Sequence, residues 1–454
     1  MYSSTDLSTP ILTCRSIIAC AVTALAFTFN PTVFAGEAAT YSAKHPAPDV
    51  IRDDVPADNL WEMFTKGKFS GQARYRFEIQ DQDSFSSVPI DDLGIASTLR
   101  LALGFETAEY HGFSLFAEGE GVLRLGYEDR YHIPRNPTHD NPEYPIVADP
   151  EQIELSQFWI NWEIPETTVA LRVGREDLQL LNGRFIGNSS WRQNHQAMDL
   201  ASIKGSMELG GGKLAGMYAY LDRVYRTVGW DATDSPLGME SHLFTLEWSK
   251  KDVITATAYG LLLDYDRSDQ DYLSTSTTGI RISGPYMFGS DMGIHYTADY
   301  AYQSDYADNP NNIGVSYWQL EAGVVYKKHK LFAGWTVLEG KSATNKVTTP
   351  LAPPFNGWTE KFLLNPSLGD SHGLDALYLT ATGPVPGVSN LTYTITFYDY
   401  YSDSNRIHYG NELDAQLEYK LGKYWSAGWR FGNYWADELF TDHLRTSVYV
   451  AFTF

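Results

Sequence analysis

The chain alternates apolar and polar residues at every second position through most of its length, most clearly in the carboxy-terminal run 444–454. One face of this run carries Leu444, Val448, Val450, Phe452 and Phe454. A strand with one apolar face and an aromatic carboxy-terminus is typical of the last strand of a bacterial outer-membrane barrel. That strand must show lipid an apolar face and close against the first strand. The pattern therefore predicts a closed barrel that spans a bilayer.

The same alternation recurs in eighteen segments from Phe69 onward, each about nine to fourteen residues long, as a tilted membrane strand requires. The first predicted strand spans Phe69 to Gln80 and the second Ile95 to Thr107. Long and short connections alternate between the segments. We therefore predict an all-β fold, an 18-stranded antiparallel transmembrane β-barrel with long extracellular loops and short periplasmic turns. A two-sheet periplasmic protein is the alternative, but it does not predict this rhythm of connections.

The first 35 residues have the form of a secretory signal peptide. Arg15 precedes an apolar stretch from Ile17 to Phe29, and small residues occupy the recognition positions before the predicted cleavage site after Ala35. Both cysteines, Cys14 and Cys20, lie in this segment, so the mature chain is predicted to contain neither a disulfide nor a thiolate metal site.

The rest of the chain divides into two parts. Residues 36–67 are predicted to form a periplasmic lead-in that ends in a short amphipathic turn around Leu60 to Phe64. Residues 68–454 are predicted to form the outer-membrane barrel, which locates the protein in the bacterial outer membrane. Expected partners are therefore outer-membrane lipid, lipopolysaccharide and the barrel-assembly machinery, and a periplasmic partner is left open.

Charge and aromatic content agree with this location. The formal net charge of −22 argues against a nucleic-acid partner and fits solvated acidic outer loops. Tyrosine and tryptophan, at 30 and 12 residues, are abundant enough to supply aromatic girdles at two membrane interfaces.

Distinctive motifs occur in the runs 174–177, 182–187 and 191–196 with Asp199, together with residues 74–78, 147–150 and 350–362. They resemble the motifs of the alginate export family of outer-membrane porins. The polar positions that match the family are Glu78, Asp177, Gln193, Asn194, Gln196 and Asp199. The resemblance implies an 18-stranded barrel whose narrowed, arginine-rich lumen passes an anionic polysaccharide or related acidic solutes. It departs from the family at Glu176, where other members have glutamine.

The residues themselves also place arginine on one wall. If the polar face of each strand points inward, strands 17, 18, 1, 2, 3 and 5 bring guanidinium groups to neighbouring parts of the lumen. The third outer loop, predicted from Glu176 to Ala197, adds more if it folds inward, and packing over the mouth is the alternative. The predicted solute path consists of Arg74, Arg76, Arg100, Arg124, Arg172, Arg175, Arg184, Arg192, Arg430 and Arg445. Arginine pairs with carboxylates through two parallel hydrogen bonds and stays charged at any relevant pH.

A structural role for these arginines is the competing interpretation. Acidic residues also fall on the predicted lumenal face, and arginine and glutamate there can hold the wall together as a buried ion network. The acidic candidates are Glu78, Glu106, Glu118, Glu120, Glu163, Glu412, Asp414 and Glu418. We interpret the arginines as a group as the solute path, while either role suits any single one of them.

Catalytic and metal-binding patterns do not stand out in the sequence. No His-Glu-x-x-His or Gly-x-Ser-x-Gly motif occurs, so we expect neither an enzyme nor a bound cofactor or metal. Oxygens in residues 138–143 offer a calcium site, but a solvated acidic loop is the preferred interpretation. The predicted function is passive diffusion of an alginate-like anionic polysaccharide or related acidic saccharides. A porin for uptake of other small solutes is the alternative, followed by an outer-membrane barrel enzyme.

Overall fold

The computed structural model describes residues 56–84, 90, 93–127, 129–351 and 356–454. The predicted signal peptide, most of the predicted lead-in and positions 352–355 of the family-like late segment lie outside the described residues. Among the residues described, no helix is both long and apolar enough to span a bilayer.

The regular secondary structure of the described residues consists almost entirely of strands. One short helix precedes the first of them, α1 (Leu60–Thr65), and a 3-10 turn occurs at Asp271–Leu273. The strands are β1 (Lys68–Gln82), β2 (Gly94–Glu106), β3 (Phe113–Arg124), β4 (Gln152–Glu163), β5 (Ala170–Glu176), β6 (Ala197–Leu209), β7 (Gly212–Tyr225), β8 (Leu237–Lys250), β9 (Ile254–Leu263), β10 (Thr275–Met287), β11 (Met292–Asp305), β12 (Gly314–Tyr326), β13 (His329–Leu338), β14 (Ser367–Leu368), β15 (Ser371–His372), β16 (Leu374–Pro384), β17 (Leu391–Tyr401), β18 (His408–Leu421), β19 (Trp425–Ala436) and β20 (His443–Thr453).

Eighteen of these strands form one closed antiparallel barrel, which confirms the predicted fold class and strand number. β1 pairs with β2 on one side and with β20 on the other, so Arg74 lies between Arg100 and Ala451. The remaining two strands, β14 and β15, form a small hairpin inside the connection between β13 and β16. The first two strands begin and end within two residues of the predicted bounds because the alternation marks both faces directly.

The two faces of the wall differ as the alternation predicts. On β2, Leu103 is 57% exposed on the outer surface, whereas Arg100 on the inner face is 2% exposed. Successive side chains of a strand point to opposite faces, so one face of each strand meets lipid and the other lines the lumen. The predicted alternation of long outer loops and short periplasmic turns is least regular late in the chain. There the outer connection 402–407 is as short as the periplasmic turn 385–390.

A second layer occupies part of the outer half of the barrel. It consists of the third outer loop (residues 177–196) and the seventh outer loop (residues 339–373), which fold inward and pack against the wall. Phe185 of the third loop contacts Tyr317 of β12, and Phe362 of the seventh loop packs among Tyr400 and Tyr434. The largest apolar core of the protein therefore lies inside the barrel, between these loops and strands β6 to β19.

Closure of the barrel depends on the last strand, which gives a first prediction. Phe454 and Gly71 exchange two backbone hydrogen bonds of 3.0 Å, and Phe452 packs on Trp425. Replacing Phe452 and Phe454 with Asp should abolish the heat-modifiable barrel in outer-membrane fractions, because charge then faces lipid at the closing seam. Secretion across the inner membrane should not change.

The matched control is Thr453→Asp, which adds one charge to the inner face of the same strand. This variant should assemble. Normal assembly of the double variant in gels run with and without heating would show that the seam does not need an apolar outer face.

Candidate functional site

The third outer loop crosses the lumen from one wall to another. It leaves β5 and returns to β6, while Asn182 donates a 2.9 Å hydrogen bond to Gln319 on β12. On the other side, Gln193 donates to the carbonyls of Arg74 on β1 and Thr98 on β2. The backbone amide of His195 also donates to Glu120 on β3. The loop therefore lies inside the barrel and takes up part of its cross-section.

Local geometry explains why the loop turns inward. Gly174, near the end of β5, has a φ of +136°, and a Cβ there would lie 2.2 Å from the carbonyl oxygen of Phe158. Only glycine fits this backbone position. Within the loop, Gln196 donates to the carbonyl of Gly187 at 2.7 Å, and Asn194 donates to the carbonyl of Thr227. These amides supply the hydrogen bonds that an irregular segment needs away from bulk water.

Ion pairs join both inward loops to the wall. Arg445 on β20 bonds Glu78 on β1 at 2.6 Å and Glu360 of the seventh loop at 2.8 Å. Glu360 also pairs with Arg192 of the third loop, so one carboxylate holds both loops together. Arg76 pairs with Asp149 of the second outer loop, whose carboxylate also accepts from the backbone amide of Gln193. Breaking such a buried pair leaves an uncompensated charge and costs about 3 to 5 kcal/mol.

Further pairs hold other predicted arginines. Arg100 bonds Glu120 through its Nε at 3.0 Å and Gln72 at 2.6 Å. Two others lie near the ends of their strands, Arg124 at the outer end of β3 and Arg172 near the periplasmic end of β5. Arg124 pairs with Glu151 at 3.2 Å, and Arg172 pairs with Glu176 at 3.0 Å.

Arg175 does not reach the lumen with the others. It lies opposite Phe158 in the β4–β5 register, and Phe158 faces outward, 48% exposed. Its guanidinium bonds Asp199 at 2.8 Å and lies 3.5 Å from the centre of the Tyr225 ring. Arg175 and Asp199, both named as site residues from the sequence, therefore lie on the outer face near the extracellular rim.

Three of the ten predicted arginines take part in no ion pair with another described residue: Arg74, Arg184 and Arg430. Arg74 donates only to neutral groups, namely Gln193 Oε1 at 2.8 Å and the carbonyls of residues 190 and 192. Arg184 donates to Asn356 of the seventh loop. Arg430, on β19, donates to Gln416 on the neighbouring strand β18. No described carboxylate lies within ion-pair distance of these three guanidinium groups.

Two indole rings frame Arg430. Its guanidinium carbon lies 3.6 Å from the centre of the Trp191 ring and 4.6 Å from that of Trp358. Arg76 also lies over Trp191, at 4.9 Å, and the edge of Trp191 meets Tyr449 of β20. Trp191 belongs to the third loop and Trp358 to the seventh, so this cluster forms only when both loops fold inward. We call Arg74, Arg430, Trp191 and Trp358 the lumenal arginine–indole cluster.

Sequence reasoning did not select the two tryptophans or Glu360 as functional. They lie in loops, where neither strand alternation nor helical periodicity indicates the direction of a side chain. The signal that could have found them is their place in the segments that resemble the alginate export family, at 191–196 and 350–362.

Two acidic side chains of β18 hold the tip of the seventh loop. Glu412 accepts from the backbone amide and the hydroxyl of Thr359, both at 2.8 Å. Asp414 accepts from the backbone amide of Trp358 at 3.1 Å. These lumenal carboxylates therefore position Trp358 beside Arg430.

A separate buried carboxyl group lies where the third loop leaves the wall. Asp177 is 3.6 Å from the imidazole of His195. Burial raises the pKa of Asp177 to about 7, and the neighbouring carboxylates of Glu118 and Glu120 act in the same direction. Because the folded pKa lies above the unfolded value of about 3.9, this group lowers stability progressively as pH rises from about 4 to about 7.

This carboxyl group gives a second prediction. Asp177→Asn should raise the unfolding temperature above that of the wild type by several degrees at pH 8 and by little at pH 4, as measured by heat-modifiability. Asp140→Asn, at an exposed carboxylate of the second outer loop, is the control and should change nothing at either pH. Equal effects of Asp177→Asn at both pH values would show that this carboxyl group is ionised in the folded state already at pH 4.

The described residues contain no group of three or more His, Cys, Asp or Glu side chains arranged to hold a metal ion. That statement includes residues 138–143, where His139 instead contacts Thr138 and Asn136.

Comparison with models of protein families shows which family the chain belongs to. The family model described as alginate export matches residues 66–342, which is more than half of the sequence. The chain belongs to the alginate export family. The predicted resemblance is thus confirmed, and membership of this family together with the barrel supports an outer-membrane channel. No curated protein sequence matches the chain.

Solved structures with a similar fold are outer-membrane porins. OccAB4 of Acinetobacter baumannii is 11% identical with a TM-score of 0.64, over 86% of this chain and 98% of its own. OccAB2 of the same organism is 14% identical with a TM-score of 0.64, over 87% and 99%. OpdK of Pseudomonas aeruginosa, determined with vanillate, is 12% identical with a TM-score of 0.63, over 85% and 98%. At these identities the likeness establishes the shared fold.

Proposed function

We propose that this alginate export family member is a bacterial outer-membrane channel for passive diffusion of anionic saccharides of the alginate type or related acidic solutes. The observation that carries the proposal is the lumenal arginine–indole cluster, in which Arg74 and Arg430 have no described ion-pair partner. A solute carboxylate supplies the negative charge that the protein does not place beside these guanidinium groups.

The cluster also suits a sugar ring. The faces of Trp191 and Trp358 offer apolar surface to the C–H groups of a pyranose, while the adjacent guanidinium attracts its carboxylate. A narrow lumen with low-dielectric walls focuses the field of the uncancelled charges. Anions should therefore be concentrated at the constriction even though the whole protein carries a formal charge of −22.

The seven paired arginines have a different part in this proposal. Arg445, Arg192 and Arg76 are already neutralised by Glu78, Glu360 and Asp149, so they hold the inward loops in place. Binding that is too strong would trap a polyanion, and a lumen with few uncancelled cations allows successive carboxylates to bind and leave.

Uptake of small acidic molecules is the second candidate. The two inward loops narrow the lumen, which favours small solutes over a polymer. The porin OpdK, which shares the fold, was determined with vanillate, an aromatic carboxylate. The lumenal arginine–indole cluster would receive such a planar acid by the same chemistry. The outer membrane, its lipopolysaccharide and the assembly machinery remain the proposed surroundings in both cases, with the periplasmic lead-in as the proposed contact for a periplasmic partner.

Electrical recording tests the proposal. In planar bilayers under a KCl gradient, the reversal potential of the purified channel should show anion preference, and oligouronates added on one side should block the current. Neutral malto-oligosaccharides of equal length are the control and should block far less. Cation preference, or equal block by charged and neutral saccharides, would contradict an anion-binding lumen. Block by vanillate but not by oligouronates would favour the second candidate.

A further inference from the structure

Helix α1 exposes an unusual amount of apolar surface for a helix of six residues. Trp61 is 76% exposed, and Leu60 and Phe64 are also more than half exposed. At about 100° per residue, these three side chains fall on one continuous arc of the helix. Glu62 and Lys66 fall on the opposite side, and the backbone amide of Asp58 donates to the Glu62 carboxylate. The segment is therefore amphipathic, and its apolar side is not covered by any described residue.

The helix is nevertheless stabilised by a cap and an ion pair, and it is hydrogen-bonded to the first periplasmic turn of the barrel. Asn59 caps it by accepting from the backbone amide of Glu62 at 3.0 Å, and Glu62 pairs with Lys66 at 2.6 Å. Met63, on the edge of the apolar arc, is buried, and its carbonyl accepts from the amide of Ala108 in the first periplasmic turn. This docking presents the apolar arc at the periplasmic rim of the barrel.

The exposed side chains continue the lipid-facing surface of the barrel. Directly after the helix, Gly67 lies against the Phe105 ring so closely that a Cβ would come within 2.3 Å of it. Two residues later, Phe69 packs on Phe105 at 4.8 Å between ring centres. Phe69 and Phe105 share the outer face with Leu103, so they belong to the apolar band that meets lipid. Only Lys66, Gly67 and Lys68 separate the helix from Phe69 of this band.

From this continuity we infer that α1 is an interfacial anchor that binds phospholipid of the periplasmic leaflet of the outer membrane. Tryptophan and phenylalanine are the side chains that favour the headgroup boundary, and the polar face of α1 remains free to meet periplasmic water. The anchor would set the depth of the barrel at its periplasmic rim, close to the seam between β1 and β20. It does not depend on which solute the channel carries.

Site-specific fluorescence tests this inference, because no cysteine follows Cys20 in the sequence. In a background without Cys14 and Cys20, the variants Trp61→Cys and Phe64→Cys would carry an environment-sensitive NBD probe. Asp58→Cys is the exposed control just before the helix, and Leu103→Cys is the control within the lipid-facing band. Each variant would be checked for heat-modifiability and reconstituted into vesicles of phosphatidylethanolamine and phosphatidylglycerol.

Phospholipids with a nitroxide near the top of the acyl chain should quench the probes at 61 and 64 about as strongly as the probe at 103. Aqueous iodide should quench mainly the probe at 58. Iodide quenching at 61 and 64 equal to that at 58 would overturn the inference. Shielding from both iodide and nitroxide would also overturn it, because the arc would then be covered by protein, such as the preceding segment of this chain.

Discussion

Replacing Arg74 and Arg430 together with Gln should remove the anion preference of the channel and abolish its block by oligouronates. Both guanidinium groups lie in the lumen and form no ion pair with a described carboxylate, so their loss removes lumenal positive charge that no direct ion pair compensates. Glutamine retains hydrogen-bonding capacity toward Gln193 and Gln416. The stacking of Arg430 on two indoles is worth about 0.5 to 2 kcal/mol, and this loss is small enough for the barrel to assemble.

Arg124→Gln is the matched control, because Arg124 is already paired with Glu151 toward the outer end of β3. It changes the net charge of the protein in the same direction but should leave the reversal potential close to that of the wild type. Reversal potentials in asymmetric KCl give the measurement for both variants. If the control shifts selectivity as far as the double change does, net charge rather than the lumenal arginine–indole cluster determines selectivity.

Replacing residues 182–194 of the third outer loop with a short Gly-Ser linker should raise the single-channel conductance several-fold. The loop contacts β12 on one side and β1, β2 and β3 on the other, so it occupies cross-section that ions could otherwise use. The linker variant should also lose anion preference, because Trp191 and the loop groups that position Arg74 are removed. Barrel strands keep their backbone pairing, so heat-modifiability should persist.

The control is an equivalent shortening of the exposed outer loop after β9, around Arg267 and Asp269. Its conductance should equal that of the wild type. An unchanged conductance in the third-loop variant would mean that ions pass the constriction elsewhere, for example beside the seventh loop.

How much the sequence predicts differs between the wall and the loops. Alternation depends only on neighbours in the chain, and residues such as Leu103 and Arg100 reveal their faces without any knowledge of the fold. The two-residue period is imposed by backbone geometry, so strand number, faces and order could be predicted. Arg175 was misplaced because its assignment rested on the family-like run 174–177; alternation counted from inward-facing Arg172 places it on the outer face, where its pairing with Phe158 also turns it.

The partners of the arginines could not be predicted in the same way. Glu78 and Arg445 are 367 residues apart in the chain but form a 2.6 Å contact because β1 closes on β20. Arg192 and Glu360 meet only because two irregular loops fold into the same lumen. Many pairings of arginine and glutamate are compatible with the alternating pattern, and none of them has a local signal.

The sequence by itself therefore determined the barrel, its lipid-facing and lumenal faces and the arginine-rich wall, since each follows from the period of a strand. Only the tertiary structure decided which arginines are neutralised and which, like Arg74 and Arg430, are not. It also brought the rings of Trp191 and Trp358 to 3.6 Å and 4.6 Å from one guanidinium carbon. The physical reason is that charge compensation and stacking act over a few ångströms in space, and that proximity is created by barrel closure and by two inward loops, not by neighbouring positions in the chain.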